Sequence, residues 1–238
     1  MCSKVNITGS DVNYITNVLR LKKGSFVSVY DGRGKVCLAR IDKIDKDRIR
    51  CAVIEELAAA QEPSIRITLV QGLPKGDKME TIIQKCTELG ISEVIPLNCN
   101  RSIVKIHQEK VASKVSRWQR VALEASRQCR RSVVPKVSEP KGLNEVLNSL
   151  SEGALSLLFW EKENKCSLKD CLRASKPENI FLFIGPEGGF TADEVEMAKE
   201  FGVIPVSLGP RIVRTETAGP AVTAIIQYEL GDLGGARD

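Results

Sequence analysis

Beyond Pro63 the chain alternates short apolar runs with stretches of helical period, which restricts it to a mostly parallel sheet with helices packed on its faces. Residues 65–70, 91–97, 154–160 and 179–184 read as buried strands. Between them Met79, Ile82, Ile83, Cys86 and Leu89 recur at helical spacing, and Gly90 can supply a left-handed cap. Val111, Val115, Trp118, Val121, Ala122 and Ala125 form the apolar side of a longer helix, which assigns Trp118 to the core. Leu143, Val146, Leu147 and Leu150 mark another helix, and residues 221–230 a last one.

The first part of the chain reads as β-rich. Residues 26–30, 35–42 and 47–54 are strand candidates, separated by turn signals at Asp31-Gly32-Arg33-Gly34 and Asp45-Lys46-Asp47. Residues 11–21 look helical, with Ile15, Val18 and Leu19 at compatible spacing. Residues 57–63 form the natural linker, ending in a proline. The expected organisation is a small β-rich domain, residues 1–62, followed by an α/β domain, residues 63–238.

Several chemistries lose support on composition. Hydrophobic residues at 42% and charged residues at 27% are ordinary for a soluble globular protein, and no apolar run approaches the ~20 residues of a membrane span. No apolar stretch follows the first residues as a signal peptide requires, which predicts a cytoplasmic protein. The eight cysteines include no Cys-x-x-Cys pair, so reduced, packed thiols are expected. With His107 the single histidine, no metal site of mixed Cys/His ligands is expected, and a nucleophile–histidine mechanism is disfavoured.

Charge is unevenly placed. Ten Lys or Arg stand against two acids between Asn98 and Lys136, and from Pro177 onward the balance reverses to four against ten. A basic middle segment can neutralise phosphates, or it can be the solvated face of a helix.

Two loops carry the most chemical information. The run 179–184 empties into Gly185-Pro186-Glu187-Gly188-Gly189-Phe190, and Thr191 then opens a Thr-x-x-Glu capping box with Glu194. Three glycines in five residues let the backbone approach a ligand closely, yet the spelling is neither a dinucleotide fingerprint nor a P-loop. A second run ends in Leu208-Gly209-Pro210-Arg211-Ile212-Val213-Arg214-Thr215-Glu216-Thr217-Ala218. Thr215 or Thr217 can cap the last helix and Glu216 suits its positive end, but Arg211 and Arg214 have no such local role. A phosphate, a carboxylate or a developing anion would suit them. Loops at the carboxyl ends of parallel strands build pockets, so a pocket between these two is expected.

IGPEGGF followed by LGPRIVRTETA resembles the RsmE family of SPOUT methyltransferases, which methylate N3 of a uridine in small-subunit ribosomal RNA. The resemblance extends to LPKGDKME from Leu73, IQKCTELG from Ile83, RSIVK from Arg101 and RWQ from Arg117. NVLRL from Asn17 and the strands after it are similar to that family's PUA-like β-barrel. The resemblance implies a SPOUT-type α/β fold with a C-terminal trefoil knot, a homodimer, and S-adenosylmethionine bound between the knot loops.

Carried onto this chain, the cofactor residues would be Leu158, Phe159 and Trp160 at one strand end, Gly185, Pro186, Glu187, Gly188 and Gly189 in the first loop, and Leu208, Gly209, Ile212, Val213, Arg214, Glu216, Thr217 and Ala218 in the second. Cationic donors beside the uracil oxygens would stabilise the imide anion, which makes Arg214 the first catalytic candidate and Arg211 the second. Glu216 is a base or a substrate-orienting group. Ribosomal RNA would be held by Lys75, Lys78, Arg101, Lys105, Arg127, Arg130 and Arg131, with Arg20 and Arg33 on the barrel. Two other readings stay open: a SPOUT enzyme acting at another RNA position, and a catalytically silent RNA-binding assembly factor.

Overall fold

The computed structural model describes residues 4–58, 62–174 and 177–235. Residues 59–61 of the expected linker lie outside the described residues. The chain divides into two compact units, Met1–Gln61 with Arg130–Val133, and Glu62–Cys129 with Val134–Asp238.

In the first unit β1 (Lys4–Thr8), β2 (Phe26–Tyr30), β3 (Val36–Ile44) and β4 (Arg48–Leu57) form an antiparallel sheet in the order β1-β4-β3-β2. Sequence patterning leaves β1 unassigned because its residues are at most half-buried. Ala39, Ile41, Ile49 and Cys51 make a small core with Val12 and Ile15. The helix expected over 11–21 is shorter and irregular: α1 (Ser10–Asn13) runs straight into a π-helical turn, Tyr14–Val18. Thr16 Oγ1 donates to the Val12 carbonyl at 2.7 Å, and Arg20 takes a left-handed φ of 54°, which ends the helix early.

The second unit is the larger. Its elements are β5 (Arg66–Gly72), α2 (Lys78–Glu88), β6 (Glu93–Asn98), α3 (Gln108–Gln128), β7 (Lys136–Val137), β8 (Lys141–Gly142), α4 (Leu143–Leu147), β9 (Leu155–Phe159), α5 (Leu168–Ala174), β10 (Asn179–Ile184), α6 (Ala192–Glu200), β11 (Ile204–Val206) and α7 (Thr215–Glu229). The sheet runs β11-β9-β10-β5-β6-β7, with β8 also beside β6, and every pairing is parallel. Both faces are covered, which is why its strands read as unbroken apolar runs. Ile180, Leu182 and Ile184 of β10 join the layer that holds Ile82, Trp118 and Val222 of α2, α3 and α7, whereas Phe181 and Phe183 join Val146 and Val195 of α4 and α6.

Two helices depart from expectation. α4 stops at Leu147, short of Leu150. α7 begins at Thr215 and not at residue 221, and Pro220 lies inside it. Gly219-Pro220 reads as a helix start because proline favours a first turn. Here the proline sits in the second turn and denies the Glu216 carbonyl its intrahelical donor, a cost offset by burial of Val222 and Ile226 against the core. Neither Thr215 nor Thr217 is the cap, because Arg214 occupies that position and makes no side-chain capping bond.

Candidate active site

The carboxyl ends of β9, β10 and β11 open onto a cavity of about 890 Å³, walled chiefly by the segments after those three strands. This is where open parallel sheets bind ligands. Phe159, Trp160, Gly185, Pro186, Glu187, Gly188, Gly189, Leu208, Gly209, Ile212, Val213, Arg214, Glu216 and Ala218 all line it, and so does Arg211. Leu158 and Thr217 do not. Leu158 alternates to the other face of β9 and packs with Phe183 and Val195, and Thr217 is exposed on the first turn of α7.

The first loop and the helix cap behind it are tied to neighbouring segments by hydrogen bonds to side chains and backbone. Thr191 Oγ1 accepts the Glu194 N–H at 3.2 Å while Glu194 Oε2 accepts the Thr191 N–H at 2.8 Å, the capping box read from the sequence. Glu194 Oε1 also accepts the Asn100 N–H at 2.7 Å, and Arg101 Nη1 donates to the Gly188 carbonyl at 3.0 Å. Glu187 Oε1 accepts the Lys75 N–H at 3.1 Å, and Thr215 Oγ1 donates to the Gly185 carbonyl at 2.7 Å. Two glycines make the approach possible. A Cβ on Gly72 would stand 2.5 Å from Pro186 N, and Gly189 has a φ of 64° with the Glu161 carboxylate over it.

Electrostatics at the mouth centre on Lys78. Its Nζ donates to Glu187 Oε1 at 2.9 Å and lies 3.3 Å from Glu216 Oε2, an ion pair short of hydrogen-bond geometry. The hydrogen bond to Glu187, with Glu216 adding, holds the Lys78 ammonium above its ordinary range. Partial burial pushes the Glu187 carboxyl up, but Lys78 and the backbone N–H groups of Glu187 and Lys75 together bring it below the usual range. Glu216 is lowered first by its own N–H at the start of α7 and then by Lys78. Arg214 Nη1 is 3.9 Å from Glu216 Oε1, with its side chain 83% exposed.

Sequence reasoning missed Glu161, Glu163, Asn164 and Ser207, which also line the cavity. The acid-rich stretch straight after an apolar run was the available signal for the first three. Glu163 Oε1 accepts the N–H groups of Lys165, Asn164 and Cys166, which folds this loop and lowers its carboxyl. Of the RNA candidates, Lys75, Lys78 and Arg101 gather at the first loop, Lys105 is exposed before α3, and Arg127 is in the last turn of α3. Arg20, Arg33, Arg130 and Arg131 belong to the first unit. Cys86 and Cys99 are buried, with thiols pushed up to about 12 by desolvation, and among the described residues no cluster suits a metal ion.

The sequence matches the RNA methyltransferase domain over residues 60–227 and the RNA methyltransferase PUA domain over residues 7–54. It is 36% identical over 229 residues to the ribosomal RNA small subunit methyltransferase E of Bacillus subtilis (strain 168), covering 94% of this chain and 90% of that one. The chain belongs to the RsmE family of RNA methyltransferases. Solved relatives agree in architecture. The Neisseria gonorrhoeae RsmE protein, bound to S-adenosyl methionine, superposes with a TM-score of 0.87 at 33% identity, covering 96% of this chain and 93% of its own. A Legionella pneumophila protein, described as a methyltransferase and solved with the bound cofactor, gives 0.88 at 31% identity, covering 97% and 93%. The RsmE fold accounts for both units here, a PUA-type antiparallel sheet and a SPOUT methyltransferase α/β sheet.

Proposed function

We propose that the cavity at the ends of β9, β10 and β11 binds S-adenosylmethionine and that this chain methylates small-subunit ribosomal RNA at N3 of a uridine. The observation that carries this reading is that both signature loops wall one cavity, in a chain 33% identical to a relative solved with that cofactor. The residues fit the ligand. A volume of about 890 Å³ lies within the usual range for small-molecule sites. Trp160 Nε1 is buried at the cavity without a hydrogen-bond partner among the described residues and offers a donor. Glu161, Glu187 and Glu216 suit a ligand carrying an ammonium and a sulfonium.

Bound there, the cofactor supplies an electrophilic methyl group. Arg214, with Arg211 behind it, donates to the uracil carbonyl oxygens and stabilises the imide anion left when N3 loses its proton. Glu216 is held ionised below the usual carboxylate range, which makes it a weak base near neutral pH. It orients Arg214 and Lys78, and solvent takes the proton. Lys75, Lys105 and Arg127 on the 63–238 domain, and Arg20, Arg33, Arg130 and Arg131, hold phosphates. Lys78 and Arg101 serve the loop first. The working form is a cytoplasmic homodimer without a metal. The C-terminal knot that the family resemblance implies belongs to the same reading, and the Thr215 to Gly185 bond returns the chain to the end of β10 after it has left for β11.

The test has two arms. Millimolar S-adenosylmethionine is expected to raise the melting temperature, because selective binding stabilises the native state. No shift would remove the cofactor. Mass mapping of nucleosides in a deletion strain is expected to show loss of one N3-methyluridine from small-subunit RNA, restored by the wild-type gene, and an unchanged RNA would remove the target.

A further inference from the structure

Gln71 occupies the next-to-last position of β5, in the middle of the sheet, with no exposed surface. Its Nε2 lies 2.9 Å from Thr215 Oγ1 and 3.0 Å from the Gly72 carbonyl, and Thr215 Oγ1 lies 2.7 Å from the Gly185 carbonyl. The proton directions are forced. A carbonyl only accepts, so the single hydroxyl proton of Thr215 goes to Gly185. The hydroxyl oxygen must then accept, and both amide N–H groups of Gln71 are committed, one to Thr215 and one to Gly72. Gln71 Oε1 is left buried without a partner among the described residues, facing α7 where a Cβ on Gly219 would stand 3.5 Å away.

Stability does not call for this arrangement. An unpaired carbonyl oxygen in the core destabilises the fold, a cost that packing alone would not demand of this position. What the amide does, and a methionine cannot, is join the end of β5 to the first residues of two cavity walls. Gly185 opens the glycine loop, and Thr215 stands between Arg214 and Glu216. Local rules broken inside a core point to a functional demand.

We infer that Gln71 is a positioning residue for methyl transfer, a role that rests on the cofactor reading above: through Thr215 it locks the glycine loop to the first turn of α7. Without it, the wall that holds the cofactor and the arginine that meets the substrate lose their common reference.

Isothermal titration with S-adenosylmethionine and single-turnover methylation of small-subunit RNA test this in Gln71→Met, Thr215→Val, their double variant and Thr215→Ser. Each of the first two is expected to weaken cofactor binding about tenfold and to slow the single-turnover rate at saturating cofactor by at least as much. The double variant is expected to be little worse than either, because one relay is broken twice. Thr215→Ser retains the hydroxyl and is expected to behave as wild type. Val146→Ala, in the opposite core layer, supplies a variant of lowered melting temperature that binds the cofactor normally. Wild-type binding and rate in Gln71→Met, or cofactor affinity that follows melting temperature across all variants including Val146→Ala, would overturn the assignment. If Gln71→Met does not fold, Thr215→Val carries the same comparison. If the wild type binds no S-adenosylmethionine, the cofactor reading fails and the lock is read by hydrogen exchange. Gln71→Met or Thr215→Val must then speed exchange selectively at residues 185–189 and 215–218, and unchanged exchange there overturns it.

Discussion

Residues 185–189 are bonded from several directions, through Gly185 to Thr215, Gly188 to Arg101, and Glu187 to Lys75 and Lys78, whereas the second loop leaves Ile212 91% exposed and the Arg214 side chain 83% exposed. The difference separates two jobs. A loop whose bonds are already made loses little freedom when a ligand settles on it, which favours binding. A loop that presents charge to solvent has donors left for a second molecule, and in the function proposed above that molecule is RNA.

The largest expected effect lies in the exposed loop. Arg214→Ala is expected to slow single-turnover methylation by roughly 10²–10³-fold, the usual loss for one donor to a developing anion, with a much smaller loss of S-adenosylmethionine affinity by titration. Equal losses in binding and rate would erase the division of labour. Next comes the braced loop. Gly72→Ala drives a Cβ to within 2.5 Å of Pro186 N and is expected to destabilise by about 1–3 kcal/mol and weaken cofactor binding about tenfold, read by thermal melting and titration. Wild-type affinity in that variant would show that the spacing of β5 and the loop is not what forms the site.

The smallest effect tests the ion cluster that joins the two loops. The carboxyls of Glu187 and Glu216 sit below their ordinary 4.5, so their contribution is present above pH 4.5 and is lost as pH falls through the lowered values. Lys78 sits above its ordinary 10.5, so its contribution is present below that pH and is lost as pH rises through the raised value. The cluster's contribution to cofactor affinity is therefore expected to be level between those limits. In Lys78→Met cofactor affinity falls by less than about fivefold at neutral pH, and the acid decline moves up toward pH 4.5. An acid limb that stays in place would remove Lys78 from the cluster.

What was legible in the chain is mostly local. Thr191 and Glu194 are three residues apart and form their capping box as written, and Trp118 falls on the buried side of α3 as its spacing requires. Gln71 was not legible. A glutamine after Val70 reads as the polar end of a strand, and its partner Thr215 stands 144 residues away. Lys78 reads as a phosphate contact for the same reason, since Glu187, 109 residues on, is invisible to any local pattern. The start of α7 misled because Gly219-Pro220 is a sound local signal that packing against the core overrides.

Periodicity, caps and loop spelling depend on neighbours within a few residues, and so the sequence by itself determined the parallel sheet, the glycine loop, its helix cap and the likeness to RsmE proteins. Which charges answer one another, and which are left facing the cavity, was decided by the tertiary structure. Hydrogen bonds and ion pairs act over a few ångströms, and only folding brings β5, the loop after β10 and the first turn of α7 within that reach.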